Sequence, residues 1–196
     1  MYKVKQTIFI LIMHILLLSW STVYSEDNAE VQKDLSKPSK EHEELAKYAG
    51  KWNVEMQFAS SQKDEAYSGT SINTMLVENR FLQIQFAASK ASEEVSGVFI
   101  IGFDRRNLEY QMTGMDTWGT YYVSATGKRL PESNTIKLYG KDNDPNMKKM
   151  GFDKEFGYSC TFENENMFVI DVFFIDTRTA ARNELKFMEY RFSRAE

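Results

Sequence analysis

The sequence predicts an all-β protein: a single closed antiparallel barrel of about ten strands, preceded by a short helix. Three observations carry that expectation. Apolar residues alternate with polar ones at a period of two through successive segments between Trp52 and Arg194. The connections between these segments are mostly short, which suits antiparallel neighbours, because a parallel crossover needs a dozen or more residues. Glycines recur inside the alternating segments, at Gly69, Gly97, Gly102, Gly114, Gly140 and Gly157, as the sharp bends of a closing wall require. A meander of this size must hide its edges, and closure hides them completely. A β-sandwich is the competing arrangement; the single run of neighbouring hairpins favours the barrel.

The first 25 residues read as a signal peptide. Lys3 and Lys5 precede the apolar run TIFILIMHILLLSW, Thr7 to Trp20, and Val23 and Ser25 form a small-residue cleavage pattern before Glu26. The run is shorter than the roughly 20 apolar residues of a membrane span and is interrupted by His14 and Ser19. No Cys follows it, so no lipid anchor is expected. The expectation is an exported protein, periplasmic or secreted, with no stable membrane anchor after cleavage. Residues 26–40 are charged and poor in large apolar side chains, which predicts a flexible tether. The barrel domain is expected over 41–196. At its start Ser39 is placed to cap a short amphipathic helix, with Leu45, Tyr48 and Ala49 on one face and Gly50 ending it.

The strand segments follow in order. KWNVEMQFA aligns Trp52, Val54, Met56 and Phe58, and after a turn come YSGTSINTML and RFLQIQFAA. EVSGVFIIGF passes through DRRN, where Asp104 and Asn107 suit a hairpin turn, into LEYQMTGM. GTYYVSAT and NTIKLYGKD precede a longer loop, and KEFGYSCTFE, MFVIDVFFID and ELKFMEYRFSR complete the set. MFVIDVFFID is apolar on both faces, so its outer face is expected to meet the N-terminal helix or a partner.

Charge and composition exclude several functions. The chain carries 24 Lys and Arg against 28 Asp and Glu, and cleavage after Ser25 removes two lysines and no acids, leaving 171 residues at −6. Such a protein is a poor candidate for nucleic acid or anionic membranes. One cysteine permits no internal disulfide, and no N-x-Ser/Thr sequon occurs; both suit a bacterial envelope or secreted protein. Of the two histidines, only His42 lies beyond the signal segment, beside the tether and outside the strands. A Ser or Cys nucleophile therefore lacks its usual base, haem its usual proximal ligand, and zinc its ligand set, so no cofactor and no metal are expected. Cys160 reads as a small buried apolar residue. Asp142 to Asp153 opens like a calcium loop but has Met147 where the turn glycine belongs and Asp153 in place of a bidentate Glu. No Gly-rich loop opens a helix for nucleotide phosphates. Asp104 fits its turn. Asp116 fits either a solvated turn or a polar anchor beside Trp118 in an apolar pocket.

LAKYAGKW, GTSINTMLVENRFLQIQF, GVFIIGFDRRNLEYQMTGMDTWGT, Asp144–Pro145 and the closing ELKFMEYRFSR, taken together in this order, resemble the DUF1579-type domain of unknown function. That family is found largely in bacteria and is thought of as a lipocalin-like, or calycin-like, barrel. The resemblance spans about Leu45 to Arg194. It departs after Asp144–Pro145, where Asn146–Met147 replaces a Thr-Gly turn. It implies a fold and no reaction. It also implies a structural plug, in which the Trp of a Gly-x-Trp on the first strand is covered by an arginine of the last. Trp52, with Arg191 or Arg194, matches in position.

The function expected is binding of a small, largely apolar molecule. Tyr110, Met112, Asp116, Trp118, Tyr121 and Tyr158 are the candidate ligand-binding residues; Tyr110, Met112 and Tyr121 fall with Val123 on one side, and Tyr158 with Phe156, Phe173 and Ile175 opposite. A register shift of one residue would reverse every one of these assignments. Two alternatives stand beside it. One is a filled barrel serving as an envelope interaction or scaffold domain, able to form a homodimer. The other is a hydrolase or isomerase using carboxylate and tyrosine groups at the barrel mouth, with no catalytic residue singled out.

Overall fold

A computed structural model describes residues 34–61, 65–141, 145, 149–150, 155–176, 181 and 183–196. The expected signal peptide, most of the tether and most of the rejected calcium loop lie outside these residues. The chain divides into two compact units, and Ser39–Glu196 is the one that holds the fold.

Among the described residues that unit is a closed barrel of ten antiparallel strands, preceded by a short helix, α1 (Lys40–Ala46). The strands are β1 (Gly50–Phe58), β2 (Tyr67–Leu76), β3 (Phe81–Lys90), β4 (Glu93–Asp104), β5 (Glu109–Asp116), β6 (Val123–Arg129), β7 (Thr135–Lys141), β8 (Glu155–Asn164), β9 (Met167–Asp176) and β10 (Asn183–Arg194). Each pairs with its neighbours in sequence, and β10 returns to β1 to close the wall. Alternation sends Trp52, Val54 and Met56 inward from β1, and Leu82, Ile84, Phe86 and Ala88 inward from β3, all buried. The β4–β5 turn is held as its sequence requires. Asp104 accepts hydrogen bonds from the Arg106 backbone N–H (2.9 Å), the Arg106 guanidinium (2.8 and 2.9 Å) and the Asn107 amide (3.0 Å). The guanidinium of Arg106 holds the Asp104 carboxyl well below the usual carboxylate range.

One end of the barrel is filled. Phe168 stacks on Phe192 at 4.4 Å between centroids, Trp52 meets Phe168 edge-on at 4.8 Å, and Tyr48 lies 4.5 Å from Phe162. Trp52 is wholly buried, and its indole N–H donates to the Tyr48 carbonyl at 3.1 Å. The same carbonyl accepts from Asn73, whose own side-chain oxygen accepts from the Ser71 hydroxyl at 2.6 Å, so the polar pair buried in β2 is satisfied. Arg194 lies over the indole at 4.4 Å and donates to the carbonyls of Lys47, Ala49 and Glu165 at 2.8 to 3.2 Å. Arg191 has a different place. It projects to the outer face, where it pairs with Glu189 at 3.0 Å and Glu163 at 3.5 Å, because residues three apart on a strand point to opposite sides.

The helix ends at Ala46, ahead of the glycine expected to stop it. Gly50 opens β1 with φ +124°, a conformation open to glycine, and the Arg194 guanidinium lies 3.1 Å from where a Cβ would stand. Helix α1 packs on β3 and β4 rather than on β9. The outer face of β9 is covered instead by its own sheet: Phe173 lies in the space left by Gly157, with Lys137 Nζ 4.0 Å above its ring and Tyr139 edge-on at 5.8 Å. Phe173 and Ile175 therefore point out of the barrel, opposite to their expected direction, while Phe168, Ile170, Val172 and Phe174 point in.

His42, in the first turn of α1, is buried although it lies outside the barrel wall. Its Nδ1 accepts the Ser39 backbone N–H at 3.0 Å, and its ring meets Phe103 edge-on at 6.2 Å. Burial, and to a lesser degree the nearby Arg105 and Arg80, push its pKa below the ordinary 6.5, against the pull of Glu41 and the Phe103 carbonyl.

Two outcomes are expected. Arg194→Ala lowers stability by about 2 kcal/mol in urea unfolding, through loss of the half-buried cation–π contact and its carbonyl bonds, whereas Arg191→Ala changes it by about 0.5 kcal/mol or less. Equal losses would contradict the assignment of the plug to Arg194. For His42, the depressed pKa makes the neutral ring the folded form, so its contribution is complete above pH 6.5 and is lost as pH falls through the lower folded value. Wild-type stability should therefore fall between pH 7 and pH 5 more steeply than that of His42→Gln, and parallel curves would refute the link.

Candidate functional site

The other end of the barrel is hollow. A cavity of about 310 Å³ opens there, at the small end of the roughly 300–1,000 Å³ typical of ligand pockets. Its floor is an aromatic layer: Phe99 meets Tyr190 at 5.1 Å and Tyr158 at 5.9 Å, and Phe86 packs against Phe99 and Tyr190 at 5.6 and 5.3 Å. Its rim is a chain of rings from four parts of the wall. Trp118 lies 5.5 Å from Phe58, Phe58 lies 5.4 Å from Phe187, and Phe187 lies 5.0 Å from Phe174.

Two local devices make the hollow. In β10 the register shifts between Lys186 and Met188, so the inserted Phe187 and its neighbour Met188 both line the cavity. In β5, Gly114 leaves room for the Tyr158 hydroxyl, because a Cβ there would stand 2.6 Å from that oxygen and 3.0 Å from the Phe99 ring. The segment GTYYVSAT forms a strand only from Val123. Residues 117–122 are a loop at the mouth, begun where Asp116 Oδ1 accepts the Trp118 backbone N–H at 2.9 Å. Trp118 and Tyr121 both line the cavity from this loop while remaining 47% and 59% exposed.

Of the six candidate ligand-binding residues, Asp116, Trp118, Tyr121 and Tyr158 come together around the cavity, joined by Val123 and Phe156. Tyr110 and Met112 do not. They point inward as expected but lie deeper along β5, where the barrel is filled: Tyr110 stands edge-on to Phe103 at 5.0 Å, and Met112 accepts the Cys160 thiol at 3.6 Å. Phe58, Phe174, Phe187, Met188 and Tyr190 line the cavity too, and the sequence reading does not select them. Period-two alternation from Met56 to Phe58 and back from Tyr190 points to some of these residues, but the bulge at Phe187 breaks the alternation.

Asp116 is the one charged side chain lining the cavity among the described residues. Burial raises its pKa above the usual carboxylate value, and the Trp118 N–H offsets part of that rise. Tyr190, buried and close to Asp116, has its phenol pushed well above the usual range. The Cys160 thiol is pushed up to about 12, first by burial and then by Asp171, so it is protonated at neutral pH. Among the described residues no group of three His, Cys, Asp or Glu is placed to hold a metal, and no helix is long and apolar enough to cross a membrane.

The model of the family described as "Protein of unknown function (DUF1579)" matches residues 37–194. The chain belongs to this family. The match starts just before Ser39 and ends at Arg194, so for this DUF1579 member it takes in both the capping helix and the plug. A comparison with curated proteins returns no match. Among solved structures, a de novo designed fluorescence-activating β-barrel is similar to this DUF1579 chain at 13% identity and TM-score 0.41, over 77% of this chain and 97% of that one; a likeness at this level bears on neither ligand nor activity.

Native Cys160 is expected to react with a disulfide reagent at pH 8 about 100-fold more slowly than the same thiol in guanidinium, because so little of it is thiolate. Equal rates would show that the thiol is neither buried nor protonated.

Proposed function

We propose that this DUF1579 protein is an exported binding protein that holds one small, largely apolar molecule in the mouth of its barrel. One observation carries the reading: the interior is filled at the plugged end and hollow at the other, in a cavity lined mainly by aromatic and aliphatic side chains. A barrel serving only as a filled scaffold has no need to exclude side chains from one end of its interior, and voids weaken a core. The aromatic rim, with Trp118 and Tyr121 partly in solvent, suits a ligand that enters from the mouth and stacks as it is bound. Export is supported by the basic start, short apolar run and small-residue cleavage pattern of residues 1–25. The carboxylate and tyrosines at the mouth are the groups a hydrolase or isomerase would use. Against that alternative, no Arg, Lys or His converges with Asp116 and the tyrosines among the described residues that line the cavity.

The neutral dye N-phenyl-1-naphthylamine tests the hollow directly. Saturable fluorescence enhancement at one dye per chain is expected for the wild type. Val123→Trp, which places an indole in the cavity, should abolish it while the far-ultraviolet circular dichroism keeps its strand signature. Absence of saturable enhancement in the wild type, or enhancement unaffected by Val123→Trp, would count against the cavity as the binding site.

A further inference from the structure

Asp116 differs from the ion-paired carboxylates of the barrel in what it faces. Asp104 is paired with Arg106, Glu44 with Arg129 at 2.8 Å, Asp171 with Lys186 at 2.7 Å, and Glu189 with both Lys186 and Arg191. The Asp116 carboxylate faces a cavity instead. Its hydrogen bond comes from the Trp118 backbone, and no Lys, Arg or His is among the described residues that line the space. Trp118, Tyr121, Tyr158, Tyr190, Phe58 and Phe187 supply rings around the same space.

We propose that the cavity takes a cationic ligand: a protonated amine carried on a compact apolar or aromatic body, with the ammonium against Asp116 and the body among the rings. The inference rests on the reading of the cavity as a binding site and goes further by fixing the charge of the ligand. Two independent features select that charge. A carboxylate with no cationic partner among the described residues of a largely apolar cavity is poorly solvated, and a bound ammonium supplies charge and hydrogen-bond donors. The faces of tryptophan and tyrosine rings carry negative quadrupole charge and attract a cation within about 6 Å. An anionic ligand meets both features as repulsion. A neutral ligand leaves the carboxylate unpaired. The volume of about 310 Å³ admits a bicyclic body with a short side chain. Burial of Asp116 has the same sense, since its raised pKa records the cost of an unpaired charge that a bound cation relieves.

Three probes share an indole and a short side chain and differ in the charge at its end: tryptamine, tryptophol and indole-3-propionate. Calorimetric titration of the full chain at pH 7.5 is expected to give tryptamine about tenfold tighter binding than tryptophol, with indole-3-propionate the weakest. Asp116→Asn keeps the oxygen that accepts from Trp118 and should bring the ratio of tryptamine to tryptophol affinity to about one. Lowering the pH through the Asp116 pKa should weaken tryptamine and spare tryptophol. Among the described residues the other titratable groups lining the cavity are the phenols of Tyr121 in the mouth loop, Tyr158 on β8 and Tyr190 on β10, and an ordinary phenol titrates near pH 10, far above that range. The pH series on the wild type carries the same test if Asp116→Asn does not fold. Tryptophol binding as tightly as tryptamine, or a tryptamine preference that survives both Asp116→Asn and acid, overturns the cationic ligand and leaves the apolar cavity standing. Failure of all three probes and of the neutral dye overturns both.

Discussion

The guanidinium of Arg194, over the indole of Trp52, fastens the pairing that turns a twisted sheet into a barrel. Trp52 and Arg194 are register partners on β1 and β10, the first and last strands, and no connecting turn brings those strands together. Every other strand pair joins neighbours in sequence and is drawn together by the closure of one connecting segment; this one joins the two ends of the domain and must be held by contact alone. Arg194 does so by binding the chain on both sides of the seam, at Lys47 and Ala49 before β1 and at Glu165 before β9. The aromatic packing of Phe162, Phe168 and Phe192 then has a fixed base on which to stack. Without closure, β1 and β10 would each expose an edge, and the cavity would have no wall on that side.

Closure at one end allows openness at the other. The filled end supplies the burial that stabilises the domain, so the mouth is free to carry features that a core would not tolerate: a bulge at Phe187, a glycine at 114 that admits a hydroxyl, a loop with Trp118 and Tyr121 in solvent, and a carboxylate that faces no cationic side chain among the described residues of the cavity. These local irregularities gather at one end of the molecule. That is the distribution expected when stability and recognition are divided along a barrel axis rather than mixed.

Much of this is legible in the sequence, and the failures have physical causes. The ten strands, their antiparallel order and closure follow from period-two alternation and short turns, and Asp104 and Asn107 announce their hairpin through side-chain hydrogen bonding that needs no distant partner. The inward residues of β5 are identifiable in direction, but their depth along the axis is not. Tyr110, Met112 and Asp116 share a face in sequence, yet only Asp116 reaches the hollow, because where filling stops depends on side chains from the other strands. MFVIDVFFID cannot be read for direction, since both of its faces are apolar. What resolves it is Gly157 on the neighbouring strand, which makes a place for Phe173 on the outside. Phe187 is hidden by the bulge that makes it useful.

The seam also sets an order in time. Strand β10 is the last of the ten to emerge during synthesis, and it carries Arg194 at one end, Phe192 in the filled core, and Tyr190, Met188 and Phe187 in the wall of the cavity. Without it the sheet has two bare edges and an incomplete mouth. Closure, plugging and formation of the binding space therefore all depend on the docking of one strand, a pairing of high contact order. A molecule that binds the finished cavity then acts on that step, because it favours only the closed state and so slows the parting of β10 from β1.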